Sequence, residues 1–89
     1  MTTTYKIKHD FRKILQIFDE QSNTWHFQHP YTYEKHYSNE NWFSIKMCQQ
    51  SNVVFQAWIK PGVGEIDIRY RIERECELDF INRIMEEVQ

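Results

Sequence analysis

The sequence predicts an α+β fold: an antiparallel meander sheet of three to five strands, with an N-terminal and a C-terminal helix packed on one face. Between Asn41 and Glu73, three runs of alternating apolar and polar residues are separated by two short, turn-rich breaks. Strand side chains alternate between the two faces of a sheet, so each run has an apolar side and a polar side. Before that stretch, Phe11, Ile14, Leu15 and Phe18 recur at the spacing of one helix face. After it, Leu78, Ile81, Ile84, Met85 and Val88 do the same. A meander with one apolar face must bury it against another layer, and the two ends of the chain supply that cover.

Residues 1–8 are polar and β-branched, with Tyr5 and Ile7 the apolar exceptions after Met1. They read as a frayed end, with a short edge strand as the alternative. Asp10 is placed to cap a helix over 10–21, which Ser22-Asn23 ends. Residues 25–37 are dense in aromatics and carry three of the four histidines. Trp25, Phe27, His29, Tyr31 and Tyr33 alternate, which predicts an edge strand interrupted by Pro30, since proline has no donor to offer a ladder. An ordered loop of aromatic anchors is the rival.

In the meander, Phe43, Ile45 and Met47 share one face of the first run, opposite Trp42, Ser44, Lys46 and Cys48. The second run sets Val53, Phe55, Ala57 and Ile59 against Val54, Gln56, Trp58 and Lys60. The third sets Ile66, Ile68, Tyr70 and Ile72 against Asp67, Arg69, Arg71 and Glu73. Gln49–Asn52 and Lys60–Gly64 are short enough to join antiparallel neighbours. Gly62 and Gly64 both lie in the second connection, which suggests a backbone with positive φ there. The last helix is expected over 75–88. Glu75, Glu77 and Asp79 crowd its first turn, where the helix dipole favours negative charge, and Arg83 is spaced to pair with Asp79 or Glu87.

Size and charge narrow the function classes. A chain of 89 residues is one domain with a small core. A net charge of −2 excludes a strongly basic or acidic tail. Two cysteines make no disulfide scaffold, and no apolar run has signal-peptide or membrane-spanning length, so a reducing cytoplasm is the expected compartment. No cofactor motif occurs: there is no P-loop, G-x-G-x-x-G or G-x-S-x-G.

His26, His29, His36 and Cys48 are metal-ligand types, but there is no second ligand cluster and no helical His pair, so surface histidines are the expectation. Cys48 lies mid-strand without a nucleophile turn. Cys76 sits among acids that disfavour a thiolate. No enzyme is expected.

The sheet face opposite the core would carry Trp42, Lys46, Trp58, Lys60, Arg69 and Arg71. Exposed tryptophan rimmed by cations fits a protein interface, with Trp as desolvated anchor and Arg as orienting donor. Trp42, Trp58, Arg69, Arg71 and Lys46 are the expected binding residues, and homodimerisation or one protein partner is the expected function. The same face could stack and neutralise single-stranded nucleic acid, or residues 25–37 could fold across it and bury it. The order helix, three strands, helix resembles that of a double-stranded RNA-binding domain. That resemblance implies a lysine-rich start to the last helix, where this chain has Glu73-Arg74-Glu75-Cys76-Glu77. Residues 65–89 hold eight acids and four bases, so an acidic helix imitating nucleic acid is a further alternative. A small-ligand pocket between sheet and helices, lined by Tyr31, Tyr33 and His29, is the last.

Overall fold

A computed structural model describes residues 1–25, 31–38, 41–71 and 75–89. The elements run β1 (Thr3–Lys6), α1 (Phe11–Trp25), β2 (Tyr31–Ser38), β3 (Trp42–Gln49), β4 (Asn52–Lys60), β5 (Glu65–Tyr70) and α2 (Glu75–Met85). The five strands form one antiparallel sheet in the order β1-β5-β4-β3-β2. The α+β architecture expected from the sequence is therefore the one present. The strand ahead of α1 and the fourth strand of the meander separate it from the helix, three strands, helix order of the RNA-binding resemblance.

The core follows the strand parity. Ile45, Ala57 and Ile68 stand in one cross-strand row, and Phe43, Ile59, Ile66 and Tyr5 in the next. Ile14, Ile17 and Phe18 of α1 and Phe80, Ile81 and Ile84 of α2 close over them. The Phe80 ring lies 5.0 Å from Phe55 and 6.3 Å from Phe18, edge-on or tilted. Such aromatic pairs add about 0.5–1.5 kcal/mol each to what their burial contributes.

Residues 1–8 are not frayed. β1 pairs with β5, with Tyr5 opposite Ile66, and Ile7 bridges to Val88 at the other end of the chain. The Ile7 N–H donates to the Gly64 carbonyl at 2.8 Å and the Lys8 N–H to Glu87 at 2.9 Å. Two apolar residues suffice here because C-terminal residues and the β4–β5 turn satisfy this backbone.

Helix α1 begins as expected. The Asp10 carboxylate accepts the Arg12 N–H at 3.0 Å, one of the donors a helix start leaves free. It ends later than the sequence suggests, at Trp25. Ser22 does not break it, because its hydroxyl donates back to the Asp19 carbonyl at 2.8 Å and satisfies itself inside the helix. Trp25 is thus helical, and the edge strand starts at Tyr31. Phe27, His29 and Pro30, along with Ile72 and Glu73, lie outside the described residues. Residues 31–38 add to the sheet edge and do not fold across its outer face.

Alternation also slips in β4. Met47 pairs with Phe55 but Cys48 pairs with Val53, so Val54 is an extra residue in the ladder. This bulge turns Val54 into the core, where it is fully buried, and leaves the half-buried Val53 opposite Cys48 on the other side. The Val54 carbonyl accepts the Arg71 N–H at 3.0 Å. Tyr70, expected inside, is 41% exposed as the last residue of β5. The turns need positive φ at Gly64 (66°), as expected for that connection, and at Gln50 (57°), where the sequence offers no glycine.

In α2 the buried stripe is Glu77, Phe80, Ile81, Ile84 and, beyond the helix, Val88. Leu78, expected on that stripe, is 37% exposed. Arg83 pairs across the helix interface with Glu20 of α1 rather than along its own helix.

Candidate binding face

The face opposite the helices is built by residues of one parity. β3 contributes Trp42, Ser44 and Lys46, β4 contributes Gln56, Trp58 and Lys60, and β5 contributes Glu65, Asp67 and Arg69. Trp58 stands between Ser44 and Asp67 in a single cross-strand row that continues to Thr4 on β1 and His36 on β2. Trp42 is 37% exposed and Trp58 is half-buried, so neither ring is sealed inside the subunit.

Four of the five expected site residues divide into two groups. Trp42 and Trp58 line one open recess of about 430 Å³ with Thr2, Lys60 and Asp67. Arg69 and Arg71 line another, of about 330 Å³, with Met1, Val53, Val54 and Tyr70. The two recesses adjoin through the consecutive residues Met1 and Thr2. Lys46 lines neither; it stands opposite Gln56, 3.6 Å from Glu34.

The face is less basic than its lysines and arginines suggest. Asp67 accepts from Lys60 at 2.8 Å and from the Thr4 hydroxyl at 2.7 Å. These two donors, Lys60 first, hold the Asp67 carboxyl below its ordinary range, and Asp67 in turn raises Lys60. Lys6 meets Glu65 at 3.2 Å, and Glu34 serves both Lys46 and His36 at 3.6 Å. Among the described residues, Arg69 on this face has no ion partner and is exposed. Exposed ion pairs of this kind contribute little to stability, so their effect is to neutralise the face more than to stabilise the fold.

Thr2, Lys60 and Asp67 were not among the expected binding residues. Parity puts Lys60 and Asp67 on this face, and Asp67 directly opposite Trp58, so the ladder register was the signal that could have found them. Thr2 carries no such signal, because its place depends on β1 joining the sheet.

Tyr31, considered as pocket lining, is buried in the core, where its hydroxyl donates to Glu77. Tyr33 is half-buried beside it, with ring centroids 6.5 Å apart. Of the metal-ligand candidates, His26 and His29 lie outside the described residues. His36 pairs with Ser44, while Cys48 pairs with Thr32 further along the same two strands. Cys48 is a free, buried thiol, and the Cys76 side chain is outside what is described. Among the described residues no three His, Cys, Asp or Glu side chains come together as a metal site, and no helix is long and apolar enough to cross a membrane. No protein-family model, no curated protein and no solved structure matches the chain.

Proposed function

We propose that this chain is a small non-enzymatic interaction module that docks one protein partner on the outer sheet face. The observation that carries the reading is that Trp42 and Trp58 wall the same open recess, with the adjacent cation, Lys60, already held by Asp67. Two large rings converging on one concavity offer anchoring area to a partner's apolar side chain, and aromatic anchors dominate protein interfaces. Arg69 and Arg71, next door, supply orienting donors at the rim. A polyanion gains most from unpaired cations, whereas Lys6, Lys46 and Lys60 each have a carboxylate neighbour. This favours a mixed-charge protein surface over nucleic acid. We place the module in a reducing cytoplasm on its cysteine usage, which cell fractionation tests.

The experiment is a comparison of wild type and Trp58→Glu in capture of partners from the native host, followed by titration with the purified candidate. A defined protein bound by the wild type and released by Trp58→Glu, with the circular dichroism unchanged, supports the reading. Binding to generic RNA or single-stranded DNA that weakens with salt and with Arg69→Ala and Arg71→Ala would replace it with a nucleic-acid function.

A further inference from the structure

The two edges of the sheet differ in length. β1 has four residues, whereas β2 has eight and ends the strand order. Among the described residues nothing pairs with the far side of β2. An unpaired edge of that length is a template for another strand, and the chemistry along it decides which strand fits.

We propose that the occupant is a second copy of this chain, joined β2 to β2 and antiparallel, about a two-fold axis perpendicular to the sheet at Lys35. A perpendicular axis keeps core side with core side, so a residue meets one of its own parity. With the axis at Lys35, Glu34 lies opposite the second copy's His36 and Tyr33 opposite its Tyr37, and the symmetry makes each contact twice.

The strand is self-complementary in this register. Glu34, Lys35, His36 and Tyr37 are all exposed, and Tyr37 at 60% is among the most exposed large apolar side chains of the described residues. Directly opposed acceptor–donor and aromatic pairs are the favourable cross-strand combinations. The two Lys35 side chains meet at the axis, but each ammonium is bonded to Asp19 of its own α1 at 2.8 Å, which neutralises it locally. Moving the axis to Glu34 would set carboxylate against carboxylate, and Lys46 and His36, each 3.6 Å from Glu34, hold it less closely than Asp19 holds Lys35 at 2.8 Å. Moving it to His36 would shorten the pairing. The joined sheets present both tryptophan recesses on the same side, so the dimer offers a bivalent surface. The pairing itself does not depend on what docks there.

Light scattering across a concentration series is the first test. A mass rising to twice 11.1 kDa is expected. His36→Glu should return it to the single-chain value by opposing two pairs of carboxylates. Glu34→His combined with His36→Glu should restore the doubled mass, because the complementary pairs are rebuilt in reverse.

Register is tested separately with Lys35→Cys. Directly opposite Cα atoms lie about 4.5–5.5 Å apart, within disulfide reach, so the two introduced thiols should couple on mild oxidation. Glu34→Cys should not couple with itself, because a rise of about 3.3 Å per residue puts those Cα atoms roughly 8 Å apart. A single-chain mass up to about 1 mM, the weak end of specific association, would overturn the proposal. So would Glu34→Cys coupling as fast as Lys35→Cys.

Discussion

The Tyr31 hydroxyl donates a hydrogen bond to Oε1 of Glu77, joining the first residue of the edge strand β2 to the first turn of α2 where both side chains are 2% exposed or less. A carboxylate on the buried stripe of a helix must be satisfied there, because an unpartnered one is costly to bury. Removing either partner takes this hydrogen bond from a buried group. Tyr31→Phe and Glu77→Leu should each cost about 1–3 kcal/mol in urea denaturation. The double variant should cost less than the two together, with a coupling of about 0.5–3 kcal/mol. Strict additivity would show that the pair contributes nothing as a pair.

The Thr4–Asp67–Lys60 cluster predicts the shape of the acid limb. Asp67 has a folded value below its ordinary 3.8, so it contributes stability that is present above 3.8 and is lost as pH falls through the lower folded value. Asp67→Asn should therefore flatten the fall in stability below pH 3.8 relative to wild type, while above that pH the two curves run parallel. Thermal melts across that window check it. An unchanged acid limb would place the acid sensitivity elsewhere, with Asp10 and Glu20, also lowered by arginine partners, the next groups to replace.

The bulge in β4 reverses what simple alternation implies for two adjacent valines. Val54→Lys buries a charge in the core and should cost about 3 kcal/mol or more. Val53→Lys, on the half-buried outer side, should stay within about 1 kcal/mol of wild type. Equal effects, or the opposite order, in chemical denaturation would mean that the ladder runs without the extra residue.

Helix α2 offers a similar contrast. Phe80→Ala removes a ring packed against Phe55 and Phe18 and should cost about 3–5 kcal/mol. Leu78→Ala, on the exposed side, should change stability by no more than about 0.5 kcal/mol. Midpoint shifts in urea distinguish them.

These contrasts also mark where the sequence was legible. Phe55, Ala57, Ile59, Ile66 and Ile68 alternate without interruption, and strand parity placed all five on the core side and Trp58 on the other. Val54 was misread because a bulge inserts a residue with no compositional mark. Glu77 was left off the core stripe because a carboxylate on a helix is ordinarily wet, and its partner lies on a strand 46 positions earlier. Leu78 took the place of Phe80 for the same reason: with Glu77 left out, the stripe rotates by one residue. The outer face was legible as a face, but its division into a tryptophan recess and an arginine recess depends on Met1 and Thr2, whose place needs β1 in the sheet, the alternative to the frayed end.

The junction of β1 with β5 and with the C-terminal residues carries a kinetic meaning. Thr4 and Asp67 are 63 positions apart, whereas the β3–β4 and β4–β5 hairpins close over turns of a few residues. Loop closure over such a span is entropically disfavoured until the rest is in place, so β1 docks late in folding and is the first strand to release in the native state. Amide exchange should accordingly be faster at Thr4 and Tyr5 than at Ala57. Each release withdraws Thr2 from the tryptophan recess and Met1 from its neighbour, so the breathing of one short strand sets how long the outer surface keeps its shape.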